Sequence, residues 1–216
     1  MSELFKGEIL TPSTVNDAVD LLTKGFKPVA GGTDLIVRQH AIKKSSPLET
    51  DNFDKLFSTH NITDNSFIKK EGNRLKIGSS VSLSNILLNE NCPEVLFNAV
   101  NTIASPGIRN LATLCGNICN ASPAADSIPA LLVLDTEIIT NKRKIQLKDF
   151  ISGPGKNILQ NDELVLEINC DIGHQKQHYF RKVGTRAANA LSKLSIAAVY
   201  DNKSTKNILK LSVGAC

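Results

Sequence analysis

The stretch 105-SPGIRNLATLCGNICNASPAADSIPALLVL-134 carries the densest information in the chain. Pro106 and Gly107 set a turn, and Arg109 and Asn110 are polar groups at the head of an otherwise apolar run. Thr113 to Asn117 holds one glycine among small or polar neighbours, and 121-ASPAADS-127 is small and polar. A helix starts at about Asp126, with Asp126 or Ser127 as its cap. Small residues beside a helix start leave backbone N–H groups pointing outward, and such nests bind anions, phosphates in particular.

A second glycine site lies upstream, in 28-PVAGGTDLIVRQH-40. Two adjacent glycines lose much backbone freedom on folding, so Gly31 and Gly32 mark a tight turn or a close approach to the backbone. Neither site is a GxxxxGK[ST] phosphate loop or a GxGxxG dinucleotide fingerprint. Taken singly, each reads first as a turn the fold needs.

Around these sites the elements alternate. Segment 13-STVNDAVDLLTKG-25 reads as a helix, with Ser13 or Thr14 as N-cap and Gly25 as C-cap. Its apolar residues recur at Val15, Ala18, Val19 and Leu22. Residues 26–32 read as a strand entering the glycine turn, 34–39 as a strand or a helix start, and the polar stretch 43–55 as a loop between subdomains. A hairpin is expected over 66–80 around 71-EGN-73, then helices over 82–89 and 93–103, the latter with Pro93 in its first turn. A second hairpin is expected over 136–147. Strands follow at 163–172, 176–183 (pairing with it) and 207–216, while 186–201 opens as helix or loop and ends as strand.

The 216 residues suffice for one large domain or two modest ones, and 41% hydrophobic with 21% charged residues supports a packed core. The net charge of +4 is dispersed, and the densest basic run, 142-KRK-144, is too short to argue for nucleic acid. With 5% aromatics and no tryptophan, no base-stacking platform stands out. The longest apolar run, 128-IPALLVL-134, falls short of a membrane span, and MSELFKGEIL has no signal-peptide core. Five cysteines without disulfide rhythm indicate a reducing, cytoplasmic protein. Cys115 and Cys119 are four apart, but Cys92, Cys170, Cys216 and the four histidines complete no ligand set. No metal is expected; the cysteines read as small buried hydrophobes, and His174 and His178 as loop residues.

Three blocks together carry a resemblance: AGGTDL at 30–35, SPGIRNLATLCGNICNASPAADS at 105–127, and YFRKVGTRAANALSKLSIA at 179–197. The set resembles the FAD-binding (medium) subunit of the molybdenum hydroxylases. That family includes the carbon monoxide dehydrogenase medium subunit and the FAD domain of xanthine dehydrogenase. The likeness runs from about Glu8 to the C-terminus, and the IRN block followed by SPAAD is its most specific part. It implies an α+β chain. A two-subdomain FAD-binding fold of the PCMH/vanillyl-alcohol-oxidase type would occupy 1–165, with subdomains of about 1–55 and 56–165. Residues 166–216 would open a truncated C-terminal α+β domain, leaving a sheet edge at Ile208–Val213 for a partner chain to cover.

The resemblance also implies a site. FAD would lie between the subdomains, its pyrophosphate clasped by two loops. The first is Ala30, Gly31, Gly32, Thr33 and Asp34; the second is Thr113, Leu114, Cys115, Gly116 and Asn117. The glycines would let backbone N–H groups reach phosphate oxygens, and Thr33 would add a hydroxyl donor. Asp34 would point away from the diphosphate and hold the turn by accepting from backbone N–H groups. Ser122 and Asp126 match positions that contact the ribityl chain or the adenosine half. Lys182 matches a basic residue near the flavin, where a cation favours the reduced anionic ring; by itself it reads as a surface lysine in a strand. Cys115 stands where the family carries glycine, and a left-handed backbone there would strain a cysteine or shift the loop.

The function implied is an electron-transfer subunit, an oxidoreductase component acting in a multi-subunit complex. Electrons would pass from a [2Fe–2S] partner subunit through FAD to an acceptor such as NAD, with the molybdenum cofactor (molybdopterin) in another subunit. The chain offers no acid–base pair or nucleophile of its own, which suits chemistry carried by a cofactor. Two other readings stay open: a flavin-free scaffold remnant of such a complex, and a stand-alone flavin oxidoreductase.

Overall fold

A computed structural model describes residues 9–37, 55–173, 175–186, 190–203 and 206–215. Most of the expected 43–55 loop, the end of segment 34–39, His40, His174, residues 187–189 and Cys216 lie outside these residues.

The chain opens with a parallel three-stranded sheet. β1 (Ile9–Leu10), β2 (Lys27–Val29) and β3 (Leu56–Ser58) take the order β1-β3-β2. Between the first two runs α1 (Val15–Thr23), capped as expected by Thr14, whose hydroxyl accepts from the Asp17 N–H at 3.1 Å. Gly25, at φ +81°, ends it in the left-handed region. Ala18 and Leu22 bury against Phe57, Ile62 and Leu164 in a small core of their own. After β2 the glycine turn leads into α2, described over 33–37, so the strand-or-helix ambiguity resolves as helix.

The middle of the chain is a five-stranded antiparallel sheet. β4 (Ile68–Glu71) and β5 (Arg74–Gly78) form the first expected hairpin, and β6 (Glu137–Thr140) and β7 (Lys144–Gln146) the second. Gly72, at φ +57°, turns the first. Five helices lie between the hairpins: α3 (Leu83–Leu87), α4 (Glu94–Asn101), α5 (Pro106–Arg109), α6 (Leu114–Cys119) and α7 (Ser127–Val133). Their apolar faces and the sheet share the main core, with Leu83, Leu96, Leu114, Ile118 and Leu131 fully buried. Several short elements escape sequence reading, among them β3, α8 (Leu147–Phe150), β8 (Ile151–Gly153) and β9 (Lys156–Asn157). Pro93 is the N-cap of α4 rather than part of its first turn, and the expected turn at Pro106–Gly107 is a short helix.

The expected pairing of 176–183 with 163–172 does not occur. β10 (Val165–Asp171) is the centre of the five-stranded sheet, with β5 on one edge and β6 on the other. Both its ladders are full. β11 (Gln175–Gly184) therefore pairs with β12 (Ser192–Lys203), which pairs with β13 (Lys206–Gly214), in a separate antiparallel sheet. Phe180, Ala197 and Val199 pack against the main core. β13 is an edge strand whose outward Leu209, Leu211 and Val213 are exposed. His178 sits in β11, not in a loop; its Nδ1 accepts from the Val95 N–H at 3.3 Å and caps α4, which its N-cap proline cannot do by side chain. Among the described residues no helix is long and apolar enough to cross a membrane.

Candidate functional site

The two glycine loops, 82 positions apart in sequence from Gly31 to Thr113, meet at a seam. Gly31 lies directly on the backbone of Leu111 and Ala112. A Cβ at Gly31 would stand 2.0 Å from the Leu111 carbonyl oxygen and 2.9 Å from Ala112 Cα. The close approach that demands glycine here is therefore made by the protein's own backbone. Gly32 has room for a side chain but sits at φ +67°, and its carbonyl accepts from the Ile36 N–H at 3.1 Å as α2 begins. One glycine is needed for space, the other for conformation.

The second loop is the start of α6. The Thr113 hydroxyl accepts from the Gly116 N–H at 3.0 Å, the bond of an N-cap. A Cβ at Gly116 would lie 3.1 Å from that hydroxyl, within the cap of its own helix, and in ordinary contact with Ala30 Cβ across the seam at 3.8 Å. Leu114 turns into the core. Cys115 is an ordinary helical residue: among the described residues the non-glycine positions at positive φ are Ala104, Ala121, Asp135 and Ala215. The expected backbone strain at Cys115 does not arise, because the turn it was expected to occupy is the first turn of α6. Its sulfur packs 3.9 Å from that of Cys119 at the core boundary. The hydrogen bond with Cys119, and then burial, push the Cys115 thiol well above its usual range. Burial likewise lifts Cys92 and Cys170 to about 12, so these are inert packing thiols.

Side chains lock the seam. Asp34 accepts from the side-chain amide of Asn120 at 3.1 Å, rather than from backbone N–H groups as expected, and so ties α2 to the end of α6. Asn117 accepts through Oδ1 from the hydroxyl of fully buried Ser127 at 2.5 Å. Ser122 accepts from the Ala124 N–H at 3.3 Å within its own turn.

Asp126 and Lys182 depart most from expectation. Asp126 occupies the N-cap position of α7 but makes no capping bond. Its carboxylate is buried and accepts from Lys182 Nζ at 2.6 Å and from the Ser192 hydroxyl. Lys182 also donates to the Thr102 carbonyl at 3.2 Å, and its side chain is only 14% exposed. It is an inward ion-pair partner, not a solvated strand lysine, and its charge is balanced by Asp126. Beside it opens a cleft of about 930 Å³, with Thr102 and Ala104 on one wall and Phe180, Lys182 and Arg186 on the other. The structure thus joins Ala30, Gly31, Asp34 and Gly116 to one seam, and Lys182 to one cleft. Sequence reading missed Asn120 and Ser192, whose only signal is being polar residues within the blocks, and gave Ser127 a capping role.

Among the described residues no group of three or more His, Cys, Asp or Glu side chains is placed to hold a metal ion.

Residues 5–170 match the family described as the FAD binding domain in molybdopterin dehydrogenase. The chain belongs to that family. It is 30% identical over 164 residues to the xanthine dehydrogenase FAD-binding subunit of Escherichia coli O157:H7, covering 71% of this chain and 54% of that one. It is 29% identical over 204 residues to the nicotinate dehydrogenase FAD-subunit of Eubacterium barkeri, covering 86% and 65%. The chain thus spans about half to two thirds of the length of these relatives. The Cu,Mo-CO dehydrogenase structure superposes with a TM-score of 0.85 at 21% identity, over 96% of this chain and 74% of that one. Quinoline 2-oxidoreductase from Pseudomonas putida 86 superposes with 0.83 at 16%, over 97% and 74%. These likenesses show the fold, the expected α+β FAD-binding fold.

Proposed function

We propose that this chain is the FAD-binding, electron-transferring part of a molybdenum-containing dehydrogenase. The observation that carries the reading is the seam. There the starts of two helices, α2 and α6, are brought side by side by Gly31, which rests on the Leu111–Ala112 backbone just before α6. First-turn N–H groups of a helix lack intrahelical acceptors, and helix starts favour anions. Two of them side by side suit a diphosphate. Ala30 to Asp34 and Thr113 to Asn117 would hold that group. The Asn117 amide, with its oxygen committed to Ser127, keeps its N–H donors for it.

The cleft at Phe180 and Lys182 would take the flat ring, with Ser122 and Asp126 between ring and phosphates. Asp126 serves through Lys182, since its own carboxylate is committed. FAD, when bound, supplies electron-transfer chemistry that the side chains themselves do not. An iron–sulfur subunit as donor, a molybdopterin subunit, NAD or another acceptor, and a cytoplasmic location belong to the same proposal. So does a division into a flavin domain over 1–165 and a C-terminal part over 166–216.

The test is an absorption spectrum of the protein incubated with FAD and desalted. Retained flavin bands that bleach with dithionite support the reading. A colourless protein overturns it for this chain and favours the flavin-free scaffold.

A further inference from the structure

We infer that Arg109 is a positioning residue that fixes the cleft wall and the glycine seam as one rigid piece. The inference rests on the flavin reading above. Arg109 closes α5, with its N–H donating to the Ser105 carbonyl at 3.0 Å. Its Nη1 donates to the carbonyls of Ile103 and Ala104, both at 2.8 Å, and approaches that of Asn101 at 3.4 Å. These are carbonyls at and just beyond the end of α4, which no helical N–H satisfies. A guanidinium at a helix C-terminus also meets the negative end of the helix dipole.

The turn so gathered is unusual. Ala104 sits at φ +47°, a left-handed conformation that alanine adopts only when its surroundings impose it. Lys182 holds the Thr102 carbonyl at 3.2 Å. Thr102 and Ala104 line the cleft, so two cations hold carbonyls of that wall, Lys182 from within the cleft lining and Arg109 from outside it. Arg109 does not line the cleft; it acts through the backbone. Downstream, the Ala112 N–H donates to the Ile108 carbonyl at 2.8 Å, and Leu111 and Ala112 are the backbone on which Gly31 rests. The wall that would meet the ring and the seam that would meet the diphosphate are the two ends of residues 102–112, with Arg109 between them. All three contacts leave one nitrogen, Nη1, so a lysine would replace them only where its flexible stem brings its ammonium to that same point.

The test uses the full chain and FAD itself. Arg109→Met and Arg109→Lys are compared with Arg143→Met, which removes a guanidinium bonded to Glu163 and the Ile158 carbonyl in the distant hairpin. The readouts are the FAD Kd by fluorescence quenching, the visible circular dichroism of bound flavin, and Tm. Arg109→Met is expected to raise Kd at least about ten-fold and alter the flavin dichroism, Arg109→Lys to fall between, and Arg143→Met to lower Tm with Kd unchanged. Adding Ala104→Gly to Arg109→Met relieves the left-handed turn and restores Tm without restoring Kd. A wild-type Kd and dichroism in Arg109→Met, or recovery of both Kd and Tm in the double variant, overturns the positioning role and leaves the flavin reading intact. A wild-type protein that fails to bind FAD overturns the flavin reading and this inference with it.

Discussion

Replacing Gly31 by alanine tests the seam directly. The added Cβ would stand 2.0 Å from the Leu111 carbonyl oxygen, whereas approaches under 3.0 Å are essentially never found, so the loops must part by about 1 Å. The obstacle is backbone on both sides, and no flexible side chain can swing away. Overpacking of this kind costs about 2–3 kcal/mol. For a domain of this size that lowers Tm by roughly 5–10 °C. The parted seam also displaces the starts of α2 and α6, and FAD affinity is expected to fall more than about ten-fold, since 1.4 kcal/mol is a factor of ten. Gly32→Ala is the internal comparison. Its Cβ meets nothing nearer than Val29 Cγ1 at 3.5 Å, so only the left-handed φ of +67° opposes it. That costs about 1–2 kcal/mol, and Gly32→Asn costs less. Differential scanning calorimetry and a flavin titration on the two variants decide the matter. If Gly31→Ala matches wild type in both, or is milder than Gly32→Ala, the seam as described is wrong.

Lys182→Met leaves the buried Asp126 carboxylate without its counter-ion and should cost about 3–5 kcal/mol in urea unfolding; the double variant with Asp126→Asn should recover much of that loss. Cys115→Gly should lose about 1 kcal/mol or more, chiefly the packing of its sulfur against Cys119 and the core, and leave FAD affinity within about two-fold, because the backbone there is plain helix. Glu163 is held at about 2, below its usual 4.5, first by the Arg143 guanidinium and then, against burial, by the Gln160 N–H and the Thr140 hydroxyl. A depressed carboxyl stabilises the fold above its unfolded pKa and loses that contribution as pH falls through its folded one. Glu163→Gln should therefore cost about 1–2 kcal/mol at pH 7, allowing for the solvent-facing Arg143, with the difference fading between pH 4.5 and 2 in acid titrations followed by circular dichroism.

Local signals were legible where the chain itself enforces them. The Thr14 cap, Gly25 at a helix end and the Gly72 turn act within a few residues, so α1 and the first hairpin fall where the pattern places them. The pairing of β11 was not legible, because alternation marks a strand without naming its neighbour, and β10 has both edges filled by strands distant in sequence. The short α5, α8 and β8–β9 are too brief to show a period.

The site divides in the same way. By itself the sequence led to the family, because two glycine loops and a small-polar block in that order resemble it, and residues 5–170 match that family. Only the tertiary structure decided what each residue does. Gly31 is glycine because Leu111 lies against it, Cys115 escapes strain because its turn is helical, and Lys182 is an ion-pair partner because β11 brings it to Asp126 across 56 positions. Conformation at one residue is set by its near neighbours and can be read from them; contact and charge compensation are set by residues far along the chain, and only folding brings those together.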